Sequence, residues 1–136
     1  MTPTGDSPTP WPPPVSPRTR GAAFEQLAAA WCSAQGWQIL ARNVTCRRGE
    51  IDLIALDKAT VVFIEVRQRT SSRYGTPAET VTAAKQRRLA AAIRYWLAGP
   101  VGRRYVDHPM RCDILAYTTS EHPPEWIANA FPVAPW

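Results

Sequence analysis

The chain predicts an α/β fold, a mixed β-sheet flanked by helices. Three observations carry that expectation. Apolar residues recur at three- and four-residue steps in two stretches, residues 22–35 and 76–99. Two apolar runs, Glu50 to Leu56 and Thr60 to Arg67, are joined by only Asp57-Lys58-Ala59. A further apolar run, Arg111 to Tyr117, follows the second helical stretch. The order is therefore helix, three strands, helix, strand and a closing element, with no internal repeat.

Taken along the chain, residues 1–20 hold seven prolines with Ser, Thr and Gly. Such a stretch forms neither helix nor ladder and buries little, so a disordered proline-rich leader is expected ahead of one domain over 21–136. From Ala22 to Gln35, the residues Phe24, Leu27, Ala28, Trp31 and Cys32 make one face of an amphipathic helix that Gly36 stops. Trp37 to Ala41 reads as a short strand, and Arg42 to Gly49 as a polar, arginine-bearing loop. The three-residue connection makes Glu50–Leu56 and Thr60–Arg67 an antiparallel hairpin.

Arg69 to Gly75 lacks periodicity and reads as a loop. Thr76-Pro77-Ala78-Glu79 combines an N-cap threonine, a proline at the first helical position and a glutamate three residues after the cap, which opens a helix. In it Val81, Ala84, Leu89, Ala92, Ile93, Trp96 and Leu97 face the core, while Lys85, Arg87 and Arg94 lie off that stripe. It ends near Gly99-Pro100, and Trp126 to Phe131 is a closing element whose type the pattern leaves open.

With 136 residues the chain has room for one domain, and 45% apolar residues with six tryptophans supply a core. The formal charge is +5, and 14 of the 16 basic residues are arginine, the side chain that grips phosphate with a planar fork. A polyanionic partner and a merely soluble basic surface both fit that balance. No run approaches the roughly 20 apolar residues that cross a bilayer, and no charged-then-apolar signal pattern opens the sequence, so a cytoplasmic protein without a membrane role is expected. Cys32, Cys46 and Cys112 are odd in number and lack C-x-x-C spacing, which argues against a disulfide framework or a zinc knuckle. His108 and His122 have no partner at helical spacing, which argues against a histidine metal site or a Ser-His-Asp arrangement.

The informative residues are two acids inside buried-looking strands: Asp52 in Gly49-Glu50-Ile51-Asp52-Leu53-Ile54-Ala55, and Glu65 in Val62-Phe63-Ile64-Glu65-Val66-Arg67. A charge in such a place is costly unless an opposite charge meets it. Side chains two apart on a strand share a face, so Phe63, Glu65 and Arg67 point one way and Val62, Ile64 and Val66 the other, while Asp52 shares its face with Ile54 and Leu56. Hairpin partners lie about 5 Å apart, close enough for two carboxylates to approach one ion. Mg²⁺ takes such oxygen ligands, typically one or two carboxylates plus substrate phosphate, and acidifies its water, which suits phosphodiester hydrolysis. Arg67, always protonated, is placed to stabilise transition-state charge but not to act as a base. The competing reading is a strand-borne salt bridge, with Arg67, Arg111 or Lys85 as the partner.

The string Gly-Glu-Ile-Asp-Leu-Ile-Ala, the interval of thirteen positions from Asp52 to Glu65, and Glu-Val-Arg-Gln-Arg resemble the YraN-like family of small bacterial proteins. That family looks like a branch of the PD-(D/E)xK, or restriction-endonuclease-like, nuclease superfamily. The resemblance covers about residues 21–131. It includes Gly21-Ala22-Ala23-Phe24-Glu25, Arg42-Asn43, Gly75, Lys85, Arg111-Cys112-Asp113 and Asn129-Ala130-Phe131. It implies a restriction-endonuclease-like fold, a metal-dependent DNA endonuclease and a Mg²⁺ or Mn²⁺ cofactor. Asp52 then matches the motif's aspartate and Glu65 its second acid, and Glu25 matches the helix-borne glutamate that completes the metal site in resolvases of four-way DNA, which points toward branched or irregular DNA. Arg67 stands where the superfamily usually has lysine, and Lys85 is one residue able to replace that lysine; a solvated helix charge is the other reading.

Glu50 alternates onto the face of Asp52 and is a further metal-ligand candidate, or else meets Arg47 or Arg48. A basic rim of Arg42, Arg47, Arg48, Arg69, Arg73, Lys85, Arg87 and Arg88 surrounds these acids and supplies candidate nucleic-acid contacts, with Tyr74 the one aromatic in the loops. Two rivals accompany the nuclease expectation. One is a nucleic-acid-binding module of the same fold with weak or no catalysis, because of Arg67. The other is an adaptor whose Trp11-Pro12-Pro13-Pro14 docks on a protein partner. Two-fold dimers are common among nucleases of that kind, so a homodimer is the assembly the resemblance implies.

Overall fold

The computed structural model describes residues 17–69 and 81–133, with side chains from Gly21 onward. Helix α1 (Pro17–Ala34) is followed by strands β1 (Gln38–Cys46), β2 (Gly49–Asp57) and β3 (Thr60–Gln68). Helix α2 (Ala83–Ala98), a 3₁₀ turn (Gly102–Tyr105), β4 (Met110–Tyr117) and β5 (Glu125–Phe131) complete the order. The sheet runs β1-β2-β3-β4-β5. Among the described residues only the β3–β4 pair is parallel, and α2 lies on the crossover that a parallel pair requires. The mixed α/β architecture read from the sequence is thus the one observed.

Alternation along β3 divides the core. Val61 and Phe63 pack with Leu89, Ala92, Ile93 and Trp96 of α2 on one face. Val62 and Ile64 pack with Phe24, Ala28 and Cys32 of α1 on the other. Cys32 and Cys112 are buried free thiols pushed up to about 12 by desolvation, and so chemically quiet.

Several boundaries differ from the sequence expectation. The first helix begins at Pro17, inside the expected leader; a proline is tolerated in a first helical turn because its missing N–H has no helical acceptor there. Residues 1–16 lie outside the described residues. The segment Arg42–Gly49, expected as a loop, is mostly strand: β1 pairs with β2 as far as Cys46 opposite Gly49, leaving a two-residue turn at Arg47-Arg48. The β2–β3 connection is also two residues, because Asp57 pairs with Thr60 and Lys58 takes a left-handed φ of 56°. The helical opening expected at Thr76–Glu79 lies outside the described residues. Helix α2 starts at Ala83, where the Thr82 hydroxyl accepts the Lys85 N–H at 3.2 Å, so Val81 precedes the helix while still filling the core. The closing element is β5, paired antiparallel to β4.

Arg111, weighed as a partner for Asp52 or Glu65, is engaged elsewhere. Its Nε donates to both oxygens of the fully buried Asp113 at 3.0 and 3.1 Å, and its Nη1 lies 3.2 Å from Asp57. Asp113 also accepts from Trp126 Nε1 and from the Asn129 backbone N–H, both at 2.9 Å. That network holds the irregular β4–β5 pairing around Asn129, whose φ is 53°.

Gly49 sets the distance between sheet and helix at the other end. A Cβ there would stand 1.8 Å from the Arg88 carbonyl oxygen, a backbone atom that cannot swing aside as the end of a flexible side chain can. Gly49→Ala is therefore expected to cost about 3 kcal/mol through forced separation of β2 from α2. The denaturation midpoint reads the effect; an unchanged midpoint would show that the close approach is not needed.

A candidate acidic site where two strands part

The β2–β3 ladder stops at Leu53 opposite Ile64, although β2 continues to pair with β1 and β3 with β4. Beyond Leu53 the two strands part. Asp52 sits at the parting and satisfies it: one carboxylate oxygen accepts the Val66 backbone N–H at 2.8 Å. The opening meets a cavity of about 380 Å³ lined by Glu50, Asp52 and Glu65 from the sheet and by Lys85 and Arg88 from α2. The two acids singled out in the sequence therefore face one space.

Glu65 is 6% exposed and has two cationic neighbours among the described residues. Lys85 Nζ lies 2.8 Å from its Oε2, and Arg67 Nη1 lies 3.8 Å from the same oxygen. The salt-bridge reading thus holds for Glu65, with Lys85 the closer partner. Asp52 has no cationic partner among the described residues. Its carboxyl is pushed up to about 8, first by desolvation and then by the charge of Glu65, with smaller contributions of the same sign from Glu25 and Glu50; only the Val66 N–H pulls it down.

Glu25 arrives from α1, the opposite helix layer. Its carboxyl is raised above the usual range by burial, while hydrogen bonds with the Asp52 and Asn43 side chains act the other way. Glu25 and Glu65 thus both act on Asp52, and the three acids share one neighbourhood. They do not form a finished cage: among the described residues no three His, Cys, Asp or Glu side chains are already placed as a set of metal ligands.

The other candidates fall into place around this centre. Glu50 is exposed at the cavity lining, and the nearest cation to it is Arg88 at 4.0 Å rather than Arg47 or Arg48. Arg47 and Arg48 are exposed in the β1–β2 turn, and Arg87 is exposed on α2. Arg69 is held by Glu125 at 2.7 Å, away from the acids. Arg73 lies outside the described residues. Asn43 received no role from the sequence, yet it occupies a left-handed conformation (φ 52°) within β1, between residues that pair across to Leu53 and Ile51, and its side chain acts to lower the raised Glu25 carboxyl. Asparagine is one of the few residues that accept such a φ, and its place beside Arg42 in the matched string was the available signal.

Together these features define an α/β protein with a desolvated carboxylate cluster at a parting in its sheet. The family described as uncharacterised protein family UPF0102 matches residues 24–117, and the chain belongs to it. Among its relatives is a UPF0102 protein of Nitrosomonas europaea, 47% identical over 113 residues, covering 82% of this chain and 92% of the relative. A UPF0102 protein of Chromohalobacter salexigens is 46% identical over 118 residues, covering 84% and 91%. One from Symbiobacterium thermophilum is 57% identical over 81 residues, covering 60% and 69%.

Proposed function

We propose that the chain is a metal-dependent endonuclease of the restriction-endonuclease-like class, acting in the cytoplasm on DNA, with branched or irregular DNA as the substrate suggested by its resemblance to resolvases. The observation that carries this reading is the convergence of Asp52 and Glu65 on one cavity at the point where β2 leaves β3. The donor set fits Mg²⁺ or Mn²⁺, since it consists of carboxylate oxygens, and a cation there would offset the burial and the Glu65 charge that raise the Asp52 carboxyl. Among the described residues, no helix is long and apolar enough to cross a membrane.

In this reading Glu25, Asp52 and Glu65 would hold the cation, and Glu50 would offer one more oxygen at the cavity lining. A bound divalent cation supplies Lewis-acid polarisation of a phosphoryl oxygen and a water of lowered pKa. Lys85 and Arg67 bring positive charge to the same carboxylate edge, where negative charge grows on the phosphoryl group during hydrolysis. Arg67 stays protonated throughout, so a proton leaving the attacking water passes to a carboxylate or to solvent. The basic side chains Arg47, Arg48, Lys85 and Arg87 supply phosphate contacts around the acids.

The test is incubation of the full chain with end-labelled linear, nicked and four-way DNA in Mg²⁺ or Mn²⁺, against an EDTA control. Metal-dependent scission of at least one substrate is expected. Salt-sensitive binding of all three without scission would favour a second reading, a nucleic-acid-binding module of the same fold. The 2.8 Å contact that ties Lys85 to Glu65, and arginine at position 67, are the observations on its side.

A further inference from the structure

A second groove adjoins the acidic cavity, sharing Ala84 and Arg88 with it. It has a volume of about 710 Å³, and its walls are arginine: Arg48 from the β1–β2 turn and Arg87, Arg88 and Arg94 from α2. All four are exposed. Its floor is alanine, chiefly Ala83, Ala90 and Ala91, and among the described residues no acidic and no aromatic side chain lines it. Arg87 and Arg94 are seven residues apart on one helix, so they stand about 10 Å apart along nearly one line. The bare backbone of Gly49 brings the turn that carries Arg48 against α2, closing the groove's side.

We infer that this groove is the track for the sugar–phosphate backbone of a paired nucleic-acid strand, leading to the acidic cavity. Four guanidinium groups, of which among the described residues Arg88 alone meets a carboxylate, Glu50 at 4.0 Å, make a strong anion site, and small side chains between them let a bulky backbone lie close to the helix. A paired strand is the occupant the lining favours, because among the described residues it holds no aromatic platform of the kind on which single strands are held without sequence preference, while its arginines suit phosphates. The assignment of that strand as a substrate rests on the nuclease reading; the phosphate-binding surface itself does not.

The experiment measures binding of labelled DNA duplex, RNA duplex and single-stranded DNA by anisotropy in EDTA, over a range of salt, for the full chain and for Arg87→Ala/Arg94→Ala. At least one duplex is expected to bind, with affinity falling about ten-fold or more in the double variant and the slope against log salt falling by about 2. Arg87→Lys/Arg94→Lys should restore most of the affinity, because a phosphate accepts either cation. Arg103→Ala/Arg104→Ala, on the 3₁₀ turn outside the groove, is expected to bind as the unaltered chain does. The duplex that responds identifies the source of the backbone. Unchanged affinity and slope in the Arg87/Arg94 variant, or an equal dependence for single strands, would overturn the inference while leaving metal-dependent cleavage standing. Arginine-dependent duplex binding without any cleavage would uphold the surface and remove the nuclease reading.

Discussion

Asp52→Asn is expected to reduce metal-dependent DNA cleavage by about a thousand-fold or more, and at the same time to flatten the pH dependence of stability in the metal-free protein. Both effects come from one carboxyl group. Its pKa is 3.8 when solvated and about 8 in the fold, because burial and the charge of Glu65 penalise the ionised form. The native state therefore binds a proton that the unfolded chain has released, and unfolding is opposed most strongly at low pH. The stabilising contribution is fully present below about pH 4 and is lost as pH rises through about 8, beyond which it is flat. Glu25, also raised, adds to the same slope. Asparagine keeps the oxygen that accepts the Val66 N–H but carries no titrating proton, so the slope should shrink. A divalent cation does the opposite of burial: Mn²⁺ should raise the melting temperature of the unaltered chain more at pH 8.5 than at pH 5.5, and should do so weakly or not at all in Asp52→Asn. Melting curves across pH with and without Mn²⁺ read all of this. A flat profile for the unaltered chain would remove the raised Asp52 carboxyl, and equal Mn²⁺ stabilisation in both proteins would end the assignment of Asp52 to a metal site.

What made Asp52 and Glu65 legible in the sequence was local: an acid inside an apolar strand breaks its pattern, and the period of two placed Phe63, Glu65 and Arg67 on one face, where the structure has them on the α2 side. The edge strand β1 was hidden for the converse reason. Arg42, Asn43 and Thr45 are exposed, and a strand that shows solvent an irregular polar surface with a left-handed residue in it looks like a loop. The start of α2 was hidden because Thr82 is followed at the third helical position by Lys85, where a capping box would place an acid, whereas Thr76-Pro77-Ala78-Glu79 carries that signature. Glu25 was visible only through the family resemblance, since a glutamate in an early helical turn is ordinary. The Arg111–Asp113 pair follows from two residues on one strand face, but that it anchors Trp126 and Asn129 depends on β5 folding back on β4.

The same violation of helix rules at Lys85 leads to the second large effect: Lys85→Met is expected to lower cleavage by about 10²- to 10³-fold, the loss typical of removing one preorganised charge-stabilising group. A lysine in the first turn of a helix meets the positive end of the helix dipole and is mildly unfavourable there unless something compensates it. Glu65 compensates it at 2.8 Å, across a long sequence separation that no local pattern reveals. Thr82 fixes where the turn begins and hence where Lys85 is aimed. Arg67, the residue that occupies the expected lysine position, is farther from the same oxygen at 3.8 Å, and its Nη1 is buried without a hydrogen-bond acceptor among the described residues. Lys85→Met should therefore cost more activity than Arg67→Met, and Lys85→Arg should recover part of it, because charge rather than proton transfer is what the position supplies. Lys85 is the closer partner of the buried Glu65, so Lys85→Met should also lower the melting temperature, whereas Lys85→Arg, which keeps the charge, should hold it. Rates compared between variants of equal stability separate a chemical role from a structural one. Single-turnover rates for the three variants decide the matter: if Arg67→Met is the more damaged enzyme, the positive charge that serves the reaction comes from β3 and the Lys85–Glu65 contact is only an ion pair.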